Sequence, residues 1–508
     1  MEFFAENFPN LTLGFSTAVT LQNLMYCFIG VFVGTLVGVL PGIGPLASIA
    51  MLLPLTFNLE PVGSLIMLAG IYYGAQYGGS TTAILVKLPG ESASVVTCLD
   101  GHQMAINGRA GPALAVAALV SFFAGTVCTV LIALFGPPIA EMALKFGAPE
   151  YFSLMLMGLI AAAVLASGSL LKALAMIVLG LLFGLVGTDV NSGMSRFAFG
   201  VTGLTDGINF VVIAMGLFGF AEIVSNLEGR GGTRDLLLQK IKHIWPTRKD
   251  LSMSWKPMIR GTGLGAFFGV LPGAGPTIAA FSSYTIEKRI AKDPSRFGKG
   301  AIEGLAGPEA ANNAAAQCAF IPTLALGIPG SATMALMLGA LTIQGIQPGP
   351  QVMTQNPDLF WGLIVSMWIG NGMLVLLNLP LVGLWVKLLK VPYRLLFPAI
   401  MMFMAIGVFS LNNQSLDIYM TILFGFIGYV FIKLRCEPAP LILAFVLGPL
   451  MEENLRRAML ISRGDPTVFF TRPISATFLV IALLLLGMMI LPMVRKKRDE
   501  IVEEPHQA

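Results

Sequence analysis

The chain repeats its own punctuation. Residues 30–45 read GVFVGTLVGVLPGIGP and residues 261–276 read GTGLGAFFGVLPGAGP, identical at nine of sixteen positions at a fixed offset of 231. Most of the identities are Gly and Pro, the residues that decide where helices approach closely and where they stop. Fainter echoes follow. Leu88-Pro89-Gly90 with Ser92 and Ser94 is answered by Ile328-Pro329-Gly330 with Ser331 and Thr333, and Pro138–Pro149 around Lys145 by Pro380–Pro392 around Lys387. Glu222 and Asn226 resemble Glu452 and Asn454. The fold is therefore expected to be two related halves, 22–228 and 253–457. An N-terminal segment 1–21 precedes them, a linker 229–252 joins them, and a loop with an extra helix (458–494) and a tail (495–508) follow.

Charge decides the medium in which those halves fold. Of 508 residues, 56% are hydrophobic and 11% charged, against about a quarter charged in a soluble domain. Too little polar surface remains to face water, which excludes a soluble protein. A hydrocarbon layer about 30 Å thick needs roughly 20 apolar residues as helix. Candidate segments are 22–40, 46–58, 62–88, 111–135, 150–168, 170–188, 205–226, 257–272, 276–287, 310–328, 331–346, 359–386, 395–411, 416–434, 437–451 and 474–494. Several are too short to cross. Segments 46–58 and 276–287 read as half-helices entering and leaving on one side, tolerated only where protein or a polar cavity covers the freed backbone. The expected fold is an all-α polytopic membrane protein with re-entrant or broken helices and about 11–12 transmembrane segments.

Lys and Arg set the orientation. The first basic residue is Lys87, which places the N-terminus outside and argues against a cleavable signal peptide, since that needs a basic region before its apolar core. Arg230, Arg234, Lys240, Lys242, Arg248, Lys249, Lys256 and Arg260 mark 228–260 as cytoplasmic, as Lys288, Arg289, Lys292, Arg296 and Lys299 mark the next loop and Arg495-Lys496-Lys497-Arg498 the C-terminus. Segment 257–287 lies between two cytoplasmic loops and is interrupted at Pro272-Gly273-Ala274-Gly275-Pro276, so a re-entrant hairpin fits it. Arg456, Arg457, Arg463 and Arg472 stand against this scheme, in a loop that the count places outside. Five crossings (62–88, 111–135, 150–168, 170–188 and 205–226) separate the two L-P-G-x-G-P motifs, and an odd number turns the second half upside down. Inverted-topology repeats with paired broken helices are the architecture of secondary transporters, whose site lies near the midplane between the repeats.

The polar residues exclude several activities. Cys27, Cys98, Cys128, Cys318 and Cys436 are odd in number and irregularly spaced, and read as packing residues. His102, His243 and His506 form no metal-type pair, and neither a G-x-x-x-x-G-K-[ST] loop nor a Ser/His/Asp constellation occurs, so no enzyme and no cofactor is expected. The net charge of +4 lies in clusters between apolar segments and calls for no nucleic acid.

Gly30, Gly34 and Gly38, like Gly261, Gly265 and Gly269, recur every fourth residue, the spacing of close helix packing. The L-P-G-x-G-P stretches are either interfacial turns or places where freed backbone grips cargo, half-helix N-termini holding an anion and unwound carbonyls a cation. Gln76, Gly78, Gly79, Ser80, Thr81 and Thr82 lie inside an apolar run, and Glu309, Asn312, Asn313 and Gln317 precede the second Pro-Gly break. Such groups demand partners, which a neighbouring helix, an ion or a solute supplies. Lys87 pairs with an anionic solute or snorkels to the interface. Asp189, Asn191, Arg196, Asp206 and Asn209 read as a solvated loop.

G-x-L-P-G-x-G-P at Gly38–Pro45 and Gly269–Pro276, GIYYGAQYGGSTTAILVKLPGESASVVTCLDG at Gly70–Gly101, GTDVNSGMSRFAFG at Gly187–Gly200, GLFGFAEI at Gly216–Ile223 and PEAANNAAAQ at Pro308–Gln317 carry a resemblance. Through them, and along nearly its whole length, the chain resembles the large membrane subunit of the tripartite tricarboxylate transporters, the TctA family. The resemblance implies a permease in the bacterial inner membrane, partnered by a small membrane subunit and a periplasmic solute-binding protein that captures an organic carboxylate and hands it over. Uptake is then driven by a Na+ or H+ gradient through alternating access. Carried onto this sequence, the resemblance puts the solute and ion region at Gly42, Gly44, Gly79, Ser80, Thr81, Thr82, Pro89, Gly90, Ser92, Gly273, Gly275, Asn312, Asn313, Pro329, Gly330 and Ser331, with Na+ at the Pro-Gly breaks. Rival readings are a binding-protein-independent transporter or channel for another small anion, and an intramembrane enzyme, for which no catalytic pair is found.

Overall fold

The computed structural model describes residues 2–40, 44–166, 169–189, 192–228, 244–271, 275–388 and 393–490, and their regular structure is helical apart from one antiparallel pairing of β1 (Gly187–Thr188) with β2 (Ser195–Arg196). The first half of the chain forms α1 (Glu2–Ala18), α2 (Leu21–Gly38), α3 (Pro45–Leu52), α4 (Pro61–Val86), α5 (Val95–Met104), α6 (Ala110–Ala143), α7 (Ala148–Leu165), α8 (Leu170–Gly184), α9 (Phe210–Ala214) and α10 (Ala221–Glu228). The second forms α11 (Arg248–Gly269), α12 (Gly275–Ile290), α13 (Ile302–Cys318), α14 (Phe320–Leu326), α15 (Ala332–Ile343), α16 (Gln351–Gln355), α17 (Pro357–Asn378), α18 (Val382–Leu388), α19 (Tyr393–Asn412), α20 (Ser415–Lys433), α21 (Ala439–Ile461), α22 (Val468–Thr471) and α23 (Pro473–Ile490). Among the described residues, Leu21–Gly38, Ser92–Ala143, Pro357–Asn378 and Ser415–Lys433 are each long and apolar enough to cross a bilayer, with shorter apolar helices around them. The chain is an all-α, multi-pass membrane protein.

Glycine spacing dictates the central packing, and does so twice. A Cβ on Gly30, Gly34 or Gly38 of α2 would run into the carbonyls of Met67, Ile71 and Ala75 on α4. A Cβ on Gly261, Gly265 or Gly269 of α11 would run into those of Gly307, Ala311 and Ala315 on α13. The paired carbonyls differ by 240 in each case. Only hydrogen at these positions lets the helix backbones touch.

The second Pro-Gly break repeats the first in backbone geometry. Lys87 ends α4 in the left-handed region (φ 56°, ψ 31°), and Gly327 ends α14 there (φ 71°, ψ 22°). Two residues on stand Pro89 and Pro329. Glu91 (φ −150°, ψ 168°) and Ser331 (φ −157°, ψ 169°) then cap the next helical turn. The counterpart of Ser331 is thus Glu91, not Ser92: identity of residue type misaligned the echo by one position, and backbone conformation corrects it.

Polar ties join the two halves. Asp100 on α5 accepts the backbone N–H of Gly298 (2.9 Å), Gly300 and Ala301 (2.8 Å each), fixing the entry to α13, and also the Tyr284 hydroxyl (3.1 Å). Arg109, ahead of α6, pairs with Asp250 in the first turn of α11, where Thr247 and Asp250 cap the helix reciprocally. Burial opposes the charge of Asp250, but the Arg109 guanidinium and the Thr247 donors more than offset it and hold this carboxyl below its usual range.

Several elements depart from expectation. Segment 1–21 contains helix α1, which packs on α17: a Cβ on Gly14 would lie 2.6 Å from the Trp361 carbonyl oxygen. The α6 helix runs eight residues past the expected end at 135, through Pro137 and Pro138, because buried Gly136 and Pro137 pack there, Gly136 beneath the Phe360 ring. Segment 359–386 divides into α17 and α18. The α21 helix continues to Ile461, so Arg456 and Arg457 lie on a helix and not in a loop; Glu452 and Glu453 pair with them one turn away and sustain it. The 187–209 connection is not uniformly solvated either. Asp189 is buried, within salt-bridge distance of Arg196 (3.8 Å) and Arg456 (3.2 Å), and Glu452 takes the other side of both arginines. Asn191, the tail and most of the linker lie outside the described residues.

Candidate substrate and ion site

The interruptions that end α2, α4, α11 and α14 leave the helices that follow with free first turns, and these turns meet. A cavity of about 560 Å³ is lined by residues 44–47 at the start of α3, by Ser92, Ala93 and Val95 leading into α5, by Pro276 and Thr277 opening α12, by Ser331, Ala332 and Thr333 opening α15, and by Pro438 and Ala439 opening α21. Each such start presents backbone N–H groups without helical acceptors and the positive end of the helix dipole. Tyr72, Leu217, Phe218 and Ile432 supply apolar wall.

The charged lining has one sign. Glu91, Glu222 and Glu437 face the cavity, and no Lys, Arg or His is among the described residues that line it. Asn312 Nδ2 on α13 donates to Glu91 at 2.8 Å, tying the cavity wall to the second half. One turn back on α13, Glu309 is buried: the Ser80 hydroxyl donates to it at 2.9 Å, and those of Thr97 and Ser121 bond to it too. Asn313 Nδ2 reaches Ser121 Oγ at 2.7 Å. Among the described residues no three His, Cys, Asp or Glu side chains gather as a metal-binding group, and the five cysteines are free.

Of the residues read from sequence, Gly44, Pro89, Gly90, Ser92 and Ser331 line the large cavity, and Gly275 precedes Pro276 there. Ser331 Oγ also accepts the Met334 N–H at 3.2 Å, capping α15. Ser80 and Thr81 line a second, smaller cavity beside Glu309. Gly79 and Gly90 cross backbone to backbone, and Thr82 Oγ1 returns to the Gly79 carbonyl at 2.8 Å within its own helix. Pro329 and Gly330 turn the chain without lining the large cavity; Gly330 lies against Ala319 and the Gly269 carbonyl. Gly42 and Gly273 fall outside the described residues. Sequence reasoning missed Tyr72, Glu91, Glu222 and Glu437. An acid inside a Pro-Gly break or on an apolar helix was the available signal for Glu91 and Glu222, because ionisable side chains are rare at membrane depth unless used.

Comparison with known proteins gives the family. An "Uncharacterized 52.8 kDa protein in TAR-I ttuC' 3'region" of Agrobacterium vitis is 59% identical over 495 residues, 97% of this chain and 98% of the relative. An "Uncharacterized protein in TAR-II ttuC' 3'region" of the same organism is 59% identical over 240 residues, 47% of this chain and 99% of the relative. No solved structure matches the chain. The model of the tripartite tricarboxylate transporter TctA family matches residues 24–443, and the chain belongs to that family.

Proposed function

We propose that the chain is the permease subunit of a tripartite, binding-protein-dependent secondary transporter. It imports tricarboxylates or related organic carboxylates across the bacterial inner membrane, together with Na+ or H+. One observation carries the reading: helix starts from both halves converge on one cavity. Backbone N–H groups at helix N-termini bind carboxylates without a basic side chain. An anion admitted beside Glu91, Glu222 and Glu437 is stable only if cations or protons accompany it, which favours symport over a bare anion pore.

The accompanying topology is two inverted repeats with re-entrant breaks and about 11–12 crossings, the N-terminus outside and the C-terminus cytoplasmic. Alternating access then exposes the cavity first to one side and then to the other. A small membrane subunit and a periplasmic solute-binding protein complete the system, the latter delivering the carboxylate. The test is uptake of labelled carboxylates into proteoliposomes holding this chain, its small partner and its binding protein, with Na+ and H+ gradients imposed in turn. Gradient-dependent uptake is expected. Leakage that needs neither gradient nor binding protein would make the chain a channel.

A further inference from the structure

A second cavity, of about 20 Å³, is lined by α4, α6, α13, the end of α17 and Val382 at the start of α18. That is room for a single water-sized occupant. Each of its polar lining residues carries a side-chain oxygen: Tyr77, Ser80, Thr81, Ser121, Glu309 and Asn378. The Glu309 side chain is buried, its hydrogen-bond partners are neutral hydroxyls, and among the described residues it has no ion-pair partner. A lone carboxylate at this depth is costly without an accompanying positive charge. A separate observation points to the same space. Asn378, only 5% exposed, gives its Nδ2 to the Leu374 carbonyl at 2.9 Å, while its Oδ1 has no hydrogen-bond partner. An unpartnered amide oxygen and a buried carboxylate on residues that line the same one-ion space are a pair of hard ligands.

We propose that this space binds one sodium ion, held by Glu309, Asn378 Oδ1 and the hydroxyls of Ser80 and Ser121. The proposal rests on the transporter reading above and moves the coupling ion away from the Pro-Gly breaks. One carboxylate balances one positive charge, which fits a monovalent ion; divalent sites gather more charge and six or more oxygens. The location also explains how an ion registers with the solute. Two hydrogen bonds join the same two segments: Thr97 of α5 to Glu309, and Asn312 of α13 to Glu91 in the wall of the large cavity. An ion that draws Glu309 towards Asn378 loosens Thr97 and shifts the segment carrying Glu91.

The test uses the full chain, purified alone in detergent, so that it does not depend on transport. Sodium chloride is titrated against choline chloride at constant ionic strength, reading the melting temperature and the retention of radioactive sodium. Wild type should show a saturable, sodium-specific rise and retain about one ion per chain. Glu309→Gln and Asn378→Ala should each weaken retention roughly tenfold or more, while Gly263→Ala, at an exposed position, keeps the response. Asn378→Ala leaves the carboxylate in place and serves if Glu309→Gln does not yield monodisperse protein. No sodium response in wild type, or a response undiminished in both variants, overturns the proposal. So does carboxylate uptake driven by protons alone with no sodium retention, an outcome that leaves the transporter reading intact. Sodium retention lost in the variants supports the site even if the reconstituted system moves no carboxylate.

Discussion

Two glycines two residues apart on α11 should respond to alanine with opposite signs. A Cβ on Gly265 would lie 2.5 Å from the Ala314 Cβ and closer still to the Ala311 carbonyl oxygen, whereas one on Gly263 meets nothing within 4 Å. Ordinary contact is about 3.5–4.0 Å, so Gly265→Ala must push α11 away from α13 by about 1 Å or more. The carbonyl cannot rotate aside, since it is part of the α13 helix. Overpacking of this kind costs about 1–3 kcal/mol, and the rigid obstacle argues for the upper end. Replacing a helical glycine by alanine returns about 0.5–1 kcal/mol. Gly265→Ala should therefore lose about 2 kcal/mol net and Gly263→Ala gain up to about 1, a separation of about 3 kcal/mol. Equilibrium unfolding in mixed dodecylmaltoside and dodecylsulfate micelles, followed by tryptophan fluorescence, resolves such a gap. Equal stability of the two variants would refute the backbone contact and with it the packing shared by the two halves.

Asn312→Ala removes the donor to Glu91 and should lower carboxylate uptake roughly tenfold, the worth of one hydrogen bond to a charged group. Thr81→Ala, at the small cavity, should also reduce uptake; normal uptake with both variants correctly inserted would remove these residues from the site. Asp100→Ala strips the acceptor shared by Gly298, Gly300 and Ala301 and should cost about 2–3 kcal/mol, read as a lower unfolding midpoint. Asp250 titrates below the ordinary aspartate value of 3.8 in the folded chain. Its contribution is therefore complete above that value and fades as pH falls through the lower, folded-state value. Asp250→Asn should destabilise at pH 6 and progressively less as pH falls below 3.8; a gap that does not depend on pH would contradict the pairing with Arg109.

Where sequence spoke through spacing, it read well. Gly30, Gly34 and Gly38 announced a helix contact because only glycine every fourth residue permits one, and L-P-G-x-G-P announced an interruption because proline lacks the donor that a continuing helix needs. Ser331 and Gly44 reached the cavity through the same logic, since both stand where a helix begins. What stayed hidden depended on contacts between distant segments. Glu222 and Glu437 are 215 positions apart yet face one space, and nothing local in either segment announces the other. Asp189 looked like loop polarity until Arg456, carried in by an unexpectedly long α21, closed over it. Asn378 sits at a helix end that the apolar segment 359–386 had run straight through.

The glycine contacts also limit how the protein can move. Notches every four residues are about 6 Å apart along a helix, and each faces the carbonyl of a partner turn. A small slip of α2 along α4, or of α11 along α13, would drive carbonyls into the ridges between notches. Intermediate positions are blocked, so each couple shifts as a single stiff beam or jumps a whole turn, as packed helices do elsewhere. Corners such as Lys87–Gly90 and Gly327–Ser331, where the chain leaves the helix, are where such beams can hinge.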